Sequence, residues 1–386
     1  MVSEPQAMFF ERLLAIVLDV VTLAAIGYTV LAIVCIARFG REPEANGVDD
    51  RPPVSLLVPL HGAEYALEEN LRAFALQDYP DCQLVLGVAR ADDSALAIAQ
   101  RVAAALPDRN IEISVGEVRG ARNPKIANVL SMMRLVRHKL LILADSDTRV
   151  TPAYVRSVTA ALHEPGVGVV TCLFAGVPTG TFSSRLGAMF MNEQFIPSVL
   201  VNRLFGSPRH CLGPTNAIRS ALLSEIGGFE ALAPYLADDF MLGHYVTARG
   251  LRVRISNYVV RTIVSDSSLA ALWNHELRWH RTIRSVQPAG YAGMFLTYPV
   301  PLAVLAFLLA PHLESAAALL AAALARIALQ RVSARALRVA SAPVWLTPAR
   351  DFFGLAVWAC GLTGHAVRWR GARLQLESGD MLAERQ

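Results

Sequence analysis

The chain has 386 residues, of which 54% are hydrophobic and only 18% charged, a balance too apolar for a purely soluble protein of this length. Against 32 acidic side chains stand 36 basic ones, a net charge of +4, too mild for a nucleic-acid-binding surface and more in keeping with contact to a membrane. Cys35, Cys82, Cys172, Cys211 and Cys360 lie far apart, with no C-x-x-C pair and no His at ligand spacing, so neither a disulfide framework nor a zinc site is indicated and a reducing compartment fits.

Residues 13–37 form an apolar run whose only charge is Asp19, longer than the roughly 20 residues that cross a bilayer core. Glu4 and Glu11 precede it where a cleaved signal peptide needs a basic start, so the run reads as a retained anchor. Arg38, Arg41 and Arg51 follow it, and the positive-inside rule places them, and the chain beyond, in the cytoplasm.

From residue 52 to 284 short apolar runs alternate with amphipathic stretches. Residues 54–58, 83–88, 111–115, 140–144 and 167–171 are predicted strands, and 67–76, 95–106 and 126–136 are predicted helices. A βαβ series of this kind predicts a mostly parallel sheet with ligands at the carboxyl ends of its strands. The polar residues there are Pro59-Leu60-His61-Gly62, Asp92-Asp93 and Asp145-Ser146-Asp147. Two carboxylates two residues apart beyond an apolar strand can hold a hard divalent cation, or one of them can cap a helix beginning near Pro152.

Residues 181–204 carry Phe182, Leu186, Met189, Phe190, Phe195 and Ile196 among polar positions, a pattern open to an interfacial helix through which a lipid reaches the rim or to a core helix. Asp238-Asp239 follows the Gly227-Gly228-Phe229 turn and opens a predicted helix running to Arg249, where capping is the bland alternative. His275-Glu276-Leu277-Arg278-Trp279-His280-Arg281 comes next; alone it reads as an interfacial basic and aromatic belt.

The C-terminal quarter holds apolar runs at 291–310, 313–329 and 352–367. The first has transmembrane length; the other two are marginal, and Arg326, Arg331, Arg335 and Arg338 form a basic stripe suited to the head-group region. Arg368, Arg370 and Arg373 predict a cytoplasmic tail, which requires an even number of crossings after the globular part, so one marginal segment is expected to be interfacial or re-entrant. The expected domains are an anchor and linker over 1–50, a cytoplasmic α/β domain over 51–284, and membrane helices with a basic tail over 285–386.

Taken together these residues resemble the processive and lipid-directed glycosyltransferases of the GT-A fold, most closely the ceramide glucosyltransferase family with its bacterial hopanoid-glycosylating relatives. The matches run through Pro59-Leu60-His61-Gly62, Leu67-Glu68-Glu69-Asn70-Leu71, Asp78-Tyr79-Pro80, Asn123-Pro124-Lys125-Ile126 and Asp145-Ser146-Asp147. They continue through Gly227-Gly228-Phe229, Leu236-Ala237-Asp238-Asp239-Phe240 and Arg278-Trp279. The resemblance implies a Rossmann-like, mostly parallel GT-A domain between an N-terminal transmembrane helix and C-terminal transmembrane or interfacial helices. It also implies inverting transfer of a hexose or N-acetylhexosamine from a UDP-sugar to a ceramide-like or hopanoid lipid, with Mg²⁺ or Mn²⁺, on the cytoplasmic face of a bacterial inner membrane. By the same resemblance His61 and either Asp92 or Asp93 serve the nucleotide, Lys125 the diphosphate, and Asp145 with Asp147 the metal-bound diphosphate. Asp239 is the general base, with Asp238 its alternative.

His275, Arg278 and Trp279 occupy the family's Q/R-x-x-R-W motif beside donor diphosphate and acceptor, with His where the family has Gln or Arg. Gly213-Pro214-Thr215-Asn216 replaces a G-K-S-type turn, which leaves the acceptor class open. A polysaccharide synthase needs several full-length spans for its channel, where this sequence shows two clear ones. A non-catalytic lipid-binding protein of the same fold would not need the D-x-D pair, Asp239 and Arg278 together.

Overall fold

The computed structural model describes residues 4–43, 51–206, 208–369 and 372–375. The chain forms two compact units. One gathers Met1–Arg41, Pro178–Asn202 and Asp266–Ala372; the other consists of Glu42–Val177 and Arg203–Ser265 with a C-terminal piece from Arg373. None of the divisions between them falls at 284, where the sequence placed one. The helix Leu269–Val286 buries Leu272 in one cluster with Leu186, Met189 and Leu346, so apolar packing joins it, and the 178–202 segment, to the C-terminal helices.

The second unit is an α/β sandwich around one sheet. Its strands are β1 (Val54–Leu60), β2 (Cys82–Val88), β3 (Ile111–Val115), β4 (Leu140–Ala144), β5 (Thr148–Arg149), β6 (Val167–Pro178), β7 (Thr215–Arg219) and β8 (Arg252–Val264), in the order β3-β2-β1-β4-β7-β6-β8-β5. The pairs β1–β2, β1–β4 and β2–β3 are parallel, whereas β4–β7, β6–β7 and β5–β8 are antiparallel. Every residue of β1 and β4 is buried, as strands covered by helices on both faces require, and this explains their unbroken apolar runs. Leu57, Val85 and Leu143 of the sheet pack against Ile126, Val129 and Met132 of the helix Pro124–Met132.

The mostly parallel half coincides with the strands read from sequence. Strands β5, β7 and β8 were not anticipated, and β6 is longer than its predicted 167–171 core. Strand β7 carries Asn216 and Arg219 among its five residues, so it lacks the apolar run that identifies a strand without its neighbours.

The other unit is helical. Among the described residues two helices are long and apolar enough to cross a membrane, Leu13–Phe39 and Leu313–Ala336, or three spans if the bent pair Pro288–Thr297 and Pro299–Leu309 counts as one. This corrects the expectation for the C-terminal runs. The 291–310 run is not one straight helix but two pieces meeting at 65°. Pro299 opens the second piece after Tyr298, whose φ of −116° and ψ of 64° are non-helical, as the residue before a proline prefers. The 313–329 run, expected to be marginal, continues as a helix to Ala336, because neither Gly nor Pro interrupts it and Arg and Ala are good helix formers.

Arg326 does not belong to a head-group stripe: it is fully buried, 2.9 Å from Asp351 and 3.3 Å from Glu193. The helix Leu346–Gly361 also buries Arg350, which pairs with Glu276 through contacts of 2.6 and 2.8 Å. Charges inside an apolar helical unit persist when paired in this way. The 352–367 run therefore ends as a helix at Gly361, and Ala366–Trp369 is a strand. Within 181–204, on helices interrupted by a π-turn over Met191–Phe195, Leu186, Met189, Phe190 and Ile196 are buried as a core helix requires, while Phe182 and Leu204 at its two ends are exposed.

Candidate active site

The parallel strands deliver their polar followers to one edge of the sheet. After β1, Gly62 takes a φ of +70°, a left-handed conformation that glycine adopts without a side-chain penalty, and its N–H donates to Asp93 Oδ1 at 2.8 Å. The same oxygen accepts the N–H of Ala95 and caps the helix Ser94–Ala105. Asp93 thus holds the β1 and β2 turns together, with His61 Nδ1 3.7 Å from its other oxygen. Asp92 stands exposed, accepting from Arg90 Nε at 2.8 Å, and that hydrogen bond holds its carboxyl below the usual range. Of the two carboxylates offered for uridine, one is committed to a cap and the other faces solvent.

Beyond β4, the Asp145-Ser146-Asp147 turn is fixed from three directions. Asn70 donates to the Ser146 carbonyl at 3.1 Å, the Ser146 hydroxyl donates to Glu64 at 2.6 Å, and the Ile263 N–H donates to the Asp147 carbonyl at 3.0 Å. Neither aspartate caps the following helix, Tyr154–Leu162, whose N-cap is Ala153. Asp147 Oδ1 is shut from solvent and meets no hydrogen-bond donor. Burial, and then the charges of Asp145 and Glu64, push the Asp147 carboxyl up to about 8.

Lys125 enters from the helix Pro124–Met132, whose start is legible in its residues. Asn123 caps it through the N–H groups of Lys125 and Ile126, and Pro124 occupies its first position. Lys125 Nζ lies 2.9 Å from Asp145 Oδ1 and 3.4 Å from Asp238 Oδ2. Burial opposes the lysine's charge, but the two carboxylates outweigh it and raise its pKa. Asn123 Nδ2 also donates to Asp238 Oδ1 at 3.3 Å.

Asp238 and Asp239 are the first residues of the helix Asp238–Thr247, where the N-terminal end of the helix dipole favours negative charge. Neither caps it by a side-chain bond from the N-cap position, which is Ala237. Asp238 is absorbed by Lys125 and Asn123. Asp239 accepts from the Phe240 N–H through Oδ1, while its Oδ2 lies 3.6 Å from the point where a Cβ on Gly213 would stand; Asp145 Oδ2 is 3.5 Å from the same point. Two carboxylates from distant parts of the chain thus border a space kept open by a glycine. Burial, and then the charge of Asp238, push Asp239 up to about 7, in the range of a working general base.

Among the described residues no three His, Cys, Asp or Glu side chains gather as a self-sufficient metal cage. A hard divalent cation takes oxygen ligands. The unpartnered Asp147 oxygen and the adjacent Asp145 are a hard-oxygen pair of the right chemistry.

In the helical unit, His275, Arg278 and Trp279 lie on the helix Leu269–Val286, capped by Ser268. His275 stands edge-on to Trp279 with ring centres 5.1 Å apart, and Trp279 packs on Phe190 and Phe195 at 5.8 and 5.9 Å. Glu276 and His280 are buried while His275, Arg278 and Trp279 stay partly exposed, so the helix turns one face inward and leaves the other accessible.

The sequence model of glycosyl transferase family 21 matches residues 17–382. The chain belongs to glycosyl transferase family 21. Similar curated proteins are ceramide glucosyltransferases 1 and 3 of Caenorhabditis elegans. The first is 24% identical over 242 residues, covering 61% of this chain and 51% of the relative; the second is 23% identical over 235 residues, covering 59% and 50%. The chain spans about half the length of these relatives. A mannosyltransferase from Pyrobaculum calidifontis, solved in complex with GDP-Man and Mn2+, is 19% identical with a TM-score of 0.51, covering 89% of this chain and 98% of that one. That likeness supports the GT-A fold of this family 21 member.

In the α/β unit the structure brings Lys125, Asp145 and Asp238 together, with Asp239 turned to the same Gly213 opening as Asp145. Gly213 and Asn123 were not singled out as site residues. Asn123-Pro124 carried a helix-start signal that would have found Asn123; nothing local shows that Gly213 stands beside Asp145 and Asp239.

Proposed function

We propose that this chain is an inverting glycosyltransferase that moves a hexose or N-acetylhexosamine from a UDP-sugar to a hydroxyl of a membrane lipid, ceramide-like or hopanoid, at the cytoplasmic face. The observation that carries the reading is the pair of carboxylates, Asp145 and Asp239, facing one opening beside the buried ammonium of Lys125. In this reading Asp145 serves the leaving diphosphate and Asp239 takes a proton. Asp145 and Asp147 would hold a divalent cation, which supplies charge neutralisation at the diphosphate when bound. Lys125 adds a fixed positive charge there, and Asp92, Asp93 and His61 border the nucleotide.

Asp239 takes the proton of the acceptor hydroxyl as its oxygen attacks the anomeric carbon and the bond to the diphosphate oxygen breaks. Attack from the face opposite the departing UDP inverts the anomeric centre, with no second carboxylate as nucleophile. By the family motif, His275, Arg278 and Trp279 serve the diphosphate and the acceptor. The positive-inside pattern of Arg38 and Arg41 supports the cytoplasmic placement.

Membranes carrying the chain, incubated with single UDP-sugars and followed by mass spectrometry, are expected to yield a glycosylated lipid with inverted anomeric configuration. A polymer product, or no lipid product from any UDP-sugar, overturns the reading.

A further inference from the structure

Asp266 belongs to none of the motifs, and it lies in the turn before the helix Leu269–Val286. Its backbone carbonyl accepts the hydroxyls of Thr181 at 3.0 Å and Ser183 at 2.6 Å, which ties that turn to the start of the helix Phe182–Phe190. Its carboxylate, 13% exposed, faces His275 Nδ1 at 3.2 Å from Oδ2 and 3.4 Å from Oδ1. A carboxylate against one imidazole nitrogen keeps a proton there and so fixes the tautomer.

The ring is held on a second side by Trp279, at an interplanar angle of 84°, and Trp279 is in turn wedged between Phe190 and Phe195. Two supports therefore fix the plane of a side chain that remains 33% exposed. That combination differs from the other histidine of the helix: His280 is fully buried, with Nδ1 3.2 Å from the Tyr291 hydroxyl, as a packed core histidine is. An imidazole that is oriented but still open has the arrangement of a working group backed by an orienting carboxylate.

We propose that Asp266 is a positioning residue that sets the tautomer and ring plane of His275, so that Nε2 is the nitrogen offered to an oxygen of the transferring substrates. The inference rests on the reading of His275 as part of the transfer machinery and supplies the carboxylate that this reading lacks. It also accounts for a histidine at a position where side chains with several rotatable N–H donors need no such partner.

The test is a double-mutant cycle on the full-length, membrane-reconstituted chain. Asp266→Asn keeps the backbone carbonyl and both hydroxyl contacts while removing the carboxylate. It is expected to lower kcat by about 10- to 100-fold, the usual loss when a carboxylate that orients an imidazole is removed, with KM for the UDP-sugar little changed and the melting temperature retained. His275→Gln sets its own baseline with an amide that needs no proton placed on it; in that background Asp266→Asn should cost nothing further. An equal loss in both backgrounds makes Asp266 structural and overturns the inference, as does wild-type kcat in Asp266→Asn alone. If Asp266→Asn folds poorly, Asp266→Ala is carried through the same cycle. Full activity in His275→Ala is a separate outcome: it removes the role read for His275, and the positioning role with it.

Discussion

Lys125 Nζ stands 2.9 Å from Asp145 Oδ1, with the lysine side chain 8% exposed. A buried ammonium of this kind holds its neighbours in place as much as it awaits a ligand, because Asp238, also 8% exposed, leans on it from the other side. Lys125→Met leaves both carboxylates without their cation and should destabilise the chain by about 3 kcal/mol, the cost of breaking a buried pair on one side. Denaturant titration in detergent measures this. Stability equal to wild type with donor binding lost would mean that the lysine serves the donor alone.

Asp147 is costly to the metal-free protein. Its folded carboxyl is pushed up to about 8, by burial first, from an ordinary value of 3.8. For an acid raised in this direction the folded state loses stability as pH climbs from about 4 to about 8, and the loss is complete above that. Asp147→Asn should therefore melt higher than wild type at pH 9 and about equal to it at pH 4, while losing metal-dependent transfer. A chelator should abolish wild-type activity, and Mg²⁺ or Mn²⁺ should restore it. Identical melting profiles for mutant and wild type, or chelator-insensitive transfer, contradict the assignment.

Gly213 keeps the space between Asp145 and Asp239 open. An added methyl would sit 3.5 and 3.6 Å from their Oδ2 atoms, ordinary contact distances, so Gly213→Ala should fold normally. It narrows the place where substrate must lie, and a loss of about 10-fold in kcat/KM is expected, the scale of one methylene in a tight pocket. Unchanged kcat/KM would place the reacting groups elsewhere.

In the parallel half β1 and β4 were legible because they are buried on both faces and read as continuous apolar runs, and the edge strand β3 because Ile111, Ile113 and Val115 alternate with polar residues; β1, β3 and β4 start where the sequence placed them. Of the antiparallel half only the start of β6 was legible, because Thr215–Arg219 and Arg252–Val264 mix charged and apolar residues and become strands only by pairing. The carboxylates of the site were visible from their positions after strands. Their division of labour was not: that Asp93 takes the Gly62 N–H and Asp238 is held by Lys125 depends on distances between segments far apart in sequence. In the helical unit, length alone misjudged the spans, since Pro299 bends one apolar run and the buried Arg326–Asp351 pair lets another pass through a charge.

Topology gives a further expectation. Residues 107–110 form an exposed turn between the helix Ser94–Ala105 and β3, and Arg38 and Arg41 favour the cytoplasmic side for the chain that follows them. A cysteine or epitope placed there should be labelled only after the cell is opened. Labelling of intact cells from outside reverses the orientation.

The last prediction concerns Asp239. Its neighbour Asp238 is engaged by Lys125 at 3.4 Å and by Asn123 at 3.3 Å, whereas Asp239 keeps Oδ2 toward the Gly213 opening, so the two carboxylates are expected to fail differently when changed. Asp239→Asn retains size and the hydrogen bond from Phe240 but cannot accept a proton; transfer should fall by about 10²- to 10⁴-fold, the usual worth of a general base, with UDP-sugar affinity preserved. Asp238→Asn should instead lower stability, because it removes a counter-charge from a buried lysine. Since burial and the Asp238 charge push Asp239 up to about 7, its base form is depleted on the acid side, and wild-type kcat at saturating substrates should fall as pH drops below about 7 and level off above it. A pH profile that is flat down to about 5, or donor affinity that collapses in Asp239→Asn, assigns the proton transfer to another group and leaves Asp239 as a donor-binding residue.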